Sequence, residues 1–359
     1  MIQRMMTYLI IFALLLLAEL VYFKIADKFN IIDKPNQRSS HSTIVLRGGG
    51  IIFSLAMLAW GVMMAVQGDF QVVMNCLPFL VGLLLVAGVS FLDDVRSLPD
   101  SVRLMVQFVA MVLMFLSMNL FSVMSYELGV MSLWMQILLK VLIVLAALIV
   151  CVGATNIINF MDGINGITAG YALAVLVPLM LVNERMTLYI EPSYLVVAII
   201  GVLVFCIFNF RPKGKAKCFA GDVGSIAIAF IMLFAIGRLI VQTGDVTYLI
   251  FLLVYGVDGC LTICHRIMLH ENLGEAHRKH AYQLMANELK IGHVKVSLLY
   301  MTMQLVVSLG FIYVCPNTVL AHWMYLFLAV VVLGVAYVLF KKKYYHLHEE
   351  YLRQLKVKN

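Results

Sequence analysis

The sequence predicts an all-α polytopic membrane protein with about eleven transmembrane helices. Of its 359 residues, 63% are hydrophobic and only 13% charged, whereas a soluble domain runs near 45–50% apolar and about 25% charged. Apolar runs of about 20 residues recur along the whole chain, long enough to cross a hydrocarbon core about 30 Å thick. The short alternating segments of a transmembrane barrel are absent, and Leu-rich continuity takes their place.

Taken in order, the runs place spans at 5–23, 49–67, 71–91, 103–122, 130–152, 166–182, 192–209, 225–243, 247–264, 296–315 and 320–340. The first has no small-residue cleavage site and reads as a span, not a removable signal peptide. The second begins at a Gly triplet and the third ends at an Asp pair. Lys140, Arg238 and Asp258 fall inside spans, where an ionisable side chain is a functional candidate by default. The seven cysteines show no CxxC pair and no Cys/His metal spacing, so they read as small hydrophobes among the spans.

Eleven crossings put the termini on opposite sides. Lys and Arg then sort the loops: 22 of the 26 lie on one side, leaving Arg4 and Arg185 opposite and Lys140 and Arg238 within spans. Positive charge marks the cytoplasmic side. The expectation is therefore an outside N-terminus, a cytoplasmic C-terminus, and cytoplasmic loops at 24–48, 92–102, 153–165, 210–224 and 265–295. Residues 1–345 read as a single transmembrane catalytic domain and 346–359 as a cytoplasmic tail. The net charge of +7 is explained by this asymmetry and gives no reason to expect nucleic acid as a partner. The opposite loops, QGDF, SYELGV and QTGDV, are short and nearly featureless, so a soluble substrate meets the protein from the cytoplasm.

Five segments on that face concentrate polar chemistry. DKPNQRSSHSTIVLRGGG (33–50) mixes cations, hydroxyls and glycines before a helix, where free N–H groups make a ready anion site; Arg38 and His41 lie within it. FLDDVRSLPD (91–100) carries Asp93 and Asp94 at a membrane boundary, a like-charged pair that needs a cation to offset its repulsion and desolvation. NIINFMDGINGI (156–167) spaces Asn156, Asn159 and Asp162 at i, i+3, i+6, suited to one helical face, with Gly163 and Gly166 to end that helix. NFRPKGKAKCFAGDVGS (209–225) sets Asp222 between glycines at the start of a span. VDGCLTICHRIMLHENLGEAHRKHAYQ (257–283) ends in the basic run His277, Arg278, Lys279, His280, which suits phosphate and lacks zinc-ligand spacing. Carboxylates for a metal beside cations for phosphates suit phosphoryl transfer, where catalysis is mostly positioning and charge neutralisation.

These segments, in this order, resemble the polyprenyl-phosphate N-acetylhexosamine-1-phosphate transferase superfamily (glycosyltransferase family 4) over about residues 33–283. The carriers are the DD pair, the NxxNxxDG block, the GDxGS block and the His-rich loop. The resemblance implies a bacterial inner-membrane enzyme. It moves N-acetylhexosamine-1-phosphate from a UDP-sugar to undecaprenyl phosphate, with Mg²⁺ as cofactor (Mn²⁺ as substitute), releases UMP and initiates O-antigen, capsular or other envelope glycan. It implies that Asp93, Asp94 and Asp162 are catalytic and that Asp222, with Asp94, holds the metal. It assigns Asn156, Asn159, Asn165, Asn209, His277, Arg278, His280, Arg38 and His41 to substrate binding. The chain departs from the family pattern at Asn165, where a second Asp is usual, and at HRKH, where the peptidoglycan translocases carry HHH. HRKH is closer to the O-antigen initiators, so a phospho-N-acetylmuramoyl-pentapeptide donor is the alternative. Arg278 and Lys279 hold their charge at neutral pH, so weak pH sensitivity is expected of this loop.

An anion transporter would place its polar groups near the bilayer midplane on broken helices; here they gather at span ends. A polyprenyl-phosphate phosphatase or a lipid-binding scaffold is distinguished by phosphate release without a UDP-sugar. The spans are apolar all round and carry no dimer signature, and a homodimer is one arrangement they allow.

Overall fold

A computed structural model describes residues 2–33, 44–127, 131–272, 274 and 277–358. Its helices are α1 (Ile2–Lys28), α2 (Ile51–Gln67), α3 (Phe70–Val95), α4 (Asp100–Ser117), α5 (Leu120–Glu127), α6 (Leu133–Phe160), α7 (Ile167–Arg185), α8 (Pro192–Asn209), α9 (Gly221–Thr243), α10 (Leu253–Met268), α11 (Ala281–Gln283), α12 (His293–Tyr313) and α13 (Val319–Lys358). A 3-10 turn, Val246–Leu252, leads into α10 and a π turn, Leu284–Glu288, follows α11. Among the described residues, ten helical stretches are long and apolar enough to cross a membrane, and α2, at 17 residues, is a shorter apolar helix. Each of the eleven spans expected from sequence has its helix, so the chain is an all-α polytopic membrane protein.

The core sits around α9, which runs through the bundle with most of its side chains buried and packs on α2, α3, α6 and α7. Phe79 of α3 stacks on Phe230 and Phe234 of α9, with ring centroids at 5.5 and 4.2 Å. α6 is the opposite case: almost none of its most apolar stretch is buried, which for a span means lipid.

A backbone contact fixes the end of the bundle that matters. A Cβ on Gly50, just before α2, would sit 2.3 Å from Gly224 Cα in the first turn of α9. The two helix starts thus touch main chain to main chain. The Gly triplet does not form the anion cradle expected of it. Gly49 N donates to Phe219 O (2.9 Å) and Gly50 N to Ala220 O (3.1 Å), so those N–H groups are spent on joining the two segments. A two-residue antiparallel pair, Ile32–Asp33 with Val45–Leu46, braces the same region. At the other terminus α13 continues unbroken past position 345, and His348 and Tyr351 pack on the body of the protein.

Candidate active site

The site is built from helix ends. α3 delivers Asp93 and Asp94 in its last turn, α4 delivers Arg103 in its first, and α9 begins with Asp222. Arg47 enters from the short strand before α2. Asp94 is fully buried and caps α9: its Oδ1 accepts from Asp222 N and its Oδ2 from Val223 N, both at 3.0 Å. A carboxylate at a helix N-terminus meets free N–H groups and the positive end of the dipole. The cap requires Gly221, whose φ is +70° and whose Cβ would stand 2.5 Å from Asp94 Oδ2.

Two arginines hold the three acids together. Arg47 Nε lies 2.7 Å from Asp94 Oδ1, and its Nη2 is 3.7 Å from Asp222 Oδ1. Arg103 Nη1 lies 2.7 Å from Asp93 Oδ2 and 3.2 Å from Asp222 Oδ2, while Nη2 pairs with Asp100. A cation in the first turn of a helix opposes the dipole; here the surrounding carboxylates offset it. Arg47 is held above its usual range because the facing carboxylates, Asp94 first, outweigh its burial. Asp93 Oδ1 also accepts from Leu98 N at 2.7 Å. Side-chain exposure rises from Asp94 (0%) through Asp93 (10%) to Asp222 (18%), so Asp222 is the most open of the three.

The end of α6 closes one flank. Asn156 Nδ2 donates to Gln107 Oε1 of α4 at 3.0 Å, and Asn159 Oδ1 accepts from Ser225 Oγ of α9 at 2.7 Å. Both amides therefore face neighbouring helices beside the acids. Asp162 follows the helix end, and Thr168 Oγ1 donates to its Oδ1. Burial pushes the Asp162 carboxyl up to about 6, against the lowering by the Thr168 bond.

Asn165 and Asn209 lie deeper and brace loops. Asn165 Nδ2 donates to Arg211 O (2.9 Å) and Pro212 O (3.0 Å). Asn209 Oδ1 accepts from Gly166 N (2.8 Å) and its Nδ2 donates to Cys218 O (2.9 Å). Their side chains tie 165–166 to 209–218. Arg38 and His41 lie outside the described residues.

The histidine loop docks beyond Asp162. His277 lies 6.3 Å from Phe160, centroid to centroid, and 4.9 Å from His280. Tyr282 bridges the two regions: its hydroxyl donates to Phe160 O at 3.1 Å and fills the space that a Cβ on Gly163 would need. Asp258 anchors the loop. Its Oδ1 sits 3.2 Å from His280 Nδ1 and accepts from Ala281 N (3.1 Å), while its Oδ2 accepts from Tyr300 Oη (2.6 Å). With Nδ1 turned to the carboxylate, His280 Nε2 is buried with no protein partner. Burial first, then the adjacent His280 ring and the charges of Arg266, Lys279 and Lys341, push His277 down to about 3, so its imidazole is neutral at pH 7. The two permanent cations point elsewhere: Arg278 to Tyr351 and Glu288, Lys279 to Glu271.

Sequence reasoning placed the acids but passed over their partners. The Lys/Arg asymmetry accounts for Arg47 and Arg103 only as inside charge. Their signal was proximity to the Gly triplet and to the DD pair. Glu19 of α1, fully buried and 3.7 Å from Cys218 Sγ under Gly49, was also passed over; an acid within an apolar run was the available sign.

Acids and cations gathered at one end of an apolar helical bundle define an integral membrane protein fitted to a phosphorylated substrate. The model described as glycosyl transferase family 4 matches residues 76–240, which include Asp93, Asp94, Asn156, Asn159, Asp162 and Asp222 and stop short of the histidine loop. The chain is 26% identical over 302 residues, 79% of each chain, to a probable undecaprenyl-phosphate N-acetylglucosaminyl 1-phosphate transferase of Bacillus subtilis. It is 26% identical over 297 residues, 75% of this chain and 72% of the other, to a decaprenyl-phosphate N-acetylglucosaminephosphotransferase of Mycobacterium leprae. A phospho-N-acetylmuramoyl-pentapeptide-transferase of Thermotoga maritima matches at 31% over 120 residues, 33% of this chain and 36% of the relative. The resemblance to the polyprenyl-phosphate N-acetylhexosamine-1-phosphate transferase superfamily is borne out.

Proposed function

We propose that this protein transfers N-acetylhexosamine-1-phosphate from a UDP-N-acetylhexosamine to undecaprenyl phosphate, giving undecaprenyl-diphospho-sugar and UMP. The observation that carries the reading is the convergence of Asp93, Asp94 and Asp222, with Arg47 and Arg103, at the same bundle end as Asp162 and the His277–His280 pair. The long relatives from Bacillus and Mycobacterium are both named for N-acetylglucosamine phosphate transfer to a polyprenyl phosphate, which supports the same reaction here. The Lys/Arg asymmetry supports a cytoplasmic position for this end, and with it a cytoplasmic C-terminus.

In this reading an oxygen of the lipid phosphate attacks the sugar-linked phosphorus, and the bond to the UMP phosphate breaks. Asp162 is the group best suited to take a proton from the lipid phosphate. Thr168 occupies its Oδ1, its other oxygen has no protein donor among the described residues, and its pKa of about 6 lies near the second pKa of a phosphate monoester, about 6. Asp93 has both oxygens engaged, by Leu98 N and Arg103, and positions Arg103 toward the phosphates. His277 and His280 offer imidazole nitrogens to the donor diphosphate.

The donor set fits Mg²⁺. Among the described residues no three His, Cys, Asp or Glu side chains form a ready metal cage, and Mg²⁺ takes one or two carboxylates with waters and substrate phosphates. Asp222 would hold the ion. Asp94, both of whose oxygens accept from the α9 backbone, would fix the helix start that carries Asp222. When bound, the ion would neutralise diphosphate charge.

The test incubates purified protein with undecaprenyl phosphate, Mg²⁺ and a panel of UDP-sugars that includes UDP-N-acetylmuramoyl-pentapeptide, with mass spectrometry of the lipid. A lipid product one N-acetylhexosamine phosphate heavier, with matching UMP, is expected. Transfer from the pentapeptide donor alone would move the chain to the alternative activity, and no lipid product from any donor would reject the reading.

A further inference from the structure

α13 has 40 residues, about 60 Å at 1.5 Å per residue, roughly twice the hydrocarbon thickness of about 30 Å. Its apolar part ends at Lys341, and the remainder reads KKKYYHLHEEYLRQLKVK. A projecting polar helix gains nothing from lipid and needs tertiary contacts to persist. Tyr345 packs edge-on against His265 of α10, with ring centroids at 4.6 Å, and the helix's polar contacts here gather on and beside the histidine loop. Arg278 Nη1 donates to Tyr351 Oη at 3.1 Å, and its guanidinium lies 4.9 Å from the Tyr351 ring centroid. Arg278 Nη2 is 3.9 Å from Glu288 Oε1, and His348 Nδ1 is 3.0 Å from that same oxygen. Lys341 Nζ donates to the Lys279 carbonyl. His348 and Lys341 are 2% and 7% exposed. Burying such groups is costly unless they are paired, and here the pairing runs between α13 and 278–288.

The result is a division of the basic run. Arg278 and Lys279 turn away from the histidines, to Glu288 and Tyr351 on one side and Glu271 on the other. His277 and His280 are left side by side against Phe160 and Tyr282. We propose that the polar half of α13 is a clamp that sets the His277–His280 pair for the donor diphosphate, with Arg278 and Tyr351 as positioning residues that do not touch the donor. This rests on the reaction proposed above.

The experiment uses the full-length protein and two variants, Tyr351→Ala and Arg278→Lys. The first removes the ring that the guanidinium stacks on; the second keeps the charge and loses the planar fork. Tyr351→Ala raises the UDP-sugar KM about tenfold, the scale of a lost cation–π and hydrogen-bond pair, and leaves the lipid KM within about twofold. Tyr351→Phe, which keeps the ring, restores most of the donor affinity. Hydrogen exchange over 277–284 quickens in Arg278→Lys while 93–103 is unchanged. That measurement needs no turnover, so it reads the clamp even if the enzyme refuses every UDP-sugar, and it stands in for Tyr351→Ala if that variant does not fold. Unchanged exchange over 277–284 overturns the clamp, as does a joint rise of both KM values. A donor defect in Arg278→Lys with normal exchange and no effect of Tyr351→Ala makes Arg278 a direct donor contact and also overturns it.

Discussion

At the acidic end, Asp93, Asp94 and Asp222 ride on helix ends that meet backbone to backbone. In the histidine loop, His277 and His280 are held through side chains, by Asp258 from within and by α13 from outside. The first region is fixed by glycine contacts and a helix cap: Gly50 against Gly224, and Asp94 on the N–H groups of Asp222 and Val223. The second is fixed by polar partners of one loop, with Tyr282 as the strut back to Phe160. Phosphoryl transfer asks for rigid placement at the reacting phosphorus. A donor that must enter and leave is better served by a segment whose hold is made of separable contacts. The two regions thus differ as a fixed platform differs from an adjustable grip.

The largest expected effect breaks the platform. Asp222→Asn keeps the shape and removes the charge, and Mg²⁺-dependent UMP release falls by at least about a hundredfold while the protein still purifies as a folded species. Near-normal turnover would take Asp222 out of the metal's reach. Gly221→Ala attacks the same region sterically: a Cβ there meets Asp94 Oδ2 at 2.5 Å on a backbone at φ +70°, a strain of about 1–3 kcal/mol. Its melting temperature in detergent drops together with its turnover; an unchanged melt would show that the cap tolerates the methyl group.

The grip gives smaller and more selective effects. His277→Ala with His280→Ala weakens UDP-sugar binding about tenfold or more and lipid binding little, as read by titration calorimetry; equal losses for both substrates would contradict the division between regions. Asp258→Asn removes the carboxylate facing His280 Nδ1 and costs roughly tenfold in donor affinity, the scale of a lost charged hydrogen bond. The smallest effect is in pH. Asp162 works as a carboxylate and its pKa is about 6, so its protonation lowers kcat/KM as pH drops through about 6. His277, held near 3, adds no second step above pH 5. A profile flat down to pH 5 would remove Asp162 as the proton acceptor.

The fold was legible because its signals are local. Run length gave the eleven spans, since bilayer thickness sets helix length regardless of what packs where. Adjacent Asp93 and Asp94 at a span end, and Asp222 between glycines at a span start, were visible as polar groups misplaced in grease. The roles assigned within that set were less legible. Asn165 and Asn209 sit in the right blocks, yet their amides brace loop backbone. Asp94 reads as a ligand like its neighbour but spends both oxygens on a helix start. Arg278 shares a run of four basic residues and faces away from its histidines toward a helix some seventy positions later.

The sequence by itself determined the number of spans and which residues stand at their ends, because hydrophobic length and the cost of charge in lipid act on each segment separately. Only the tertiary structure decided which charge meets which. Arg103 with Asp222 and Arg278 with Tyr351 are pairings between distant segments, chosen by how helices pack and by the need to partner every buried ion, and no local pattern carries that choice.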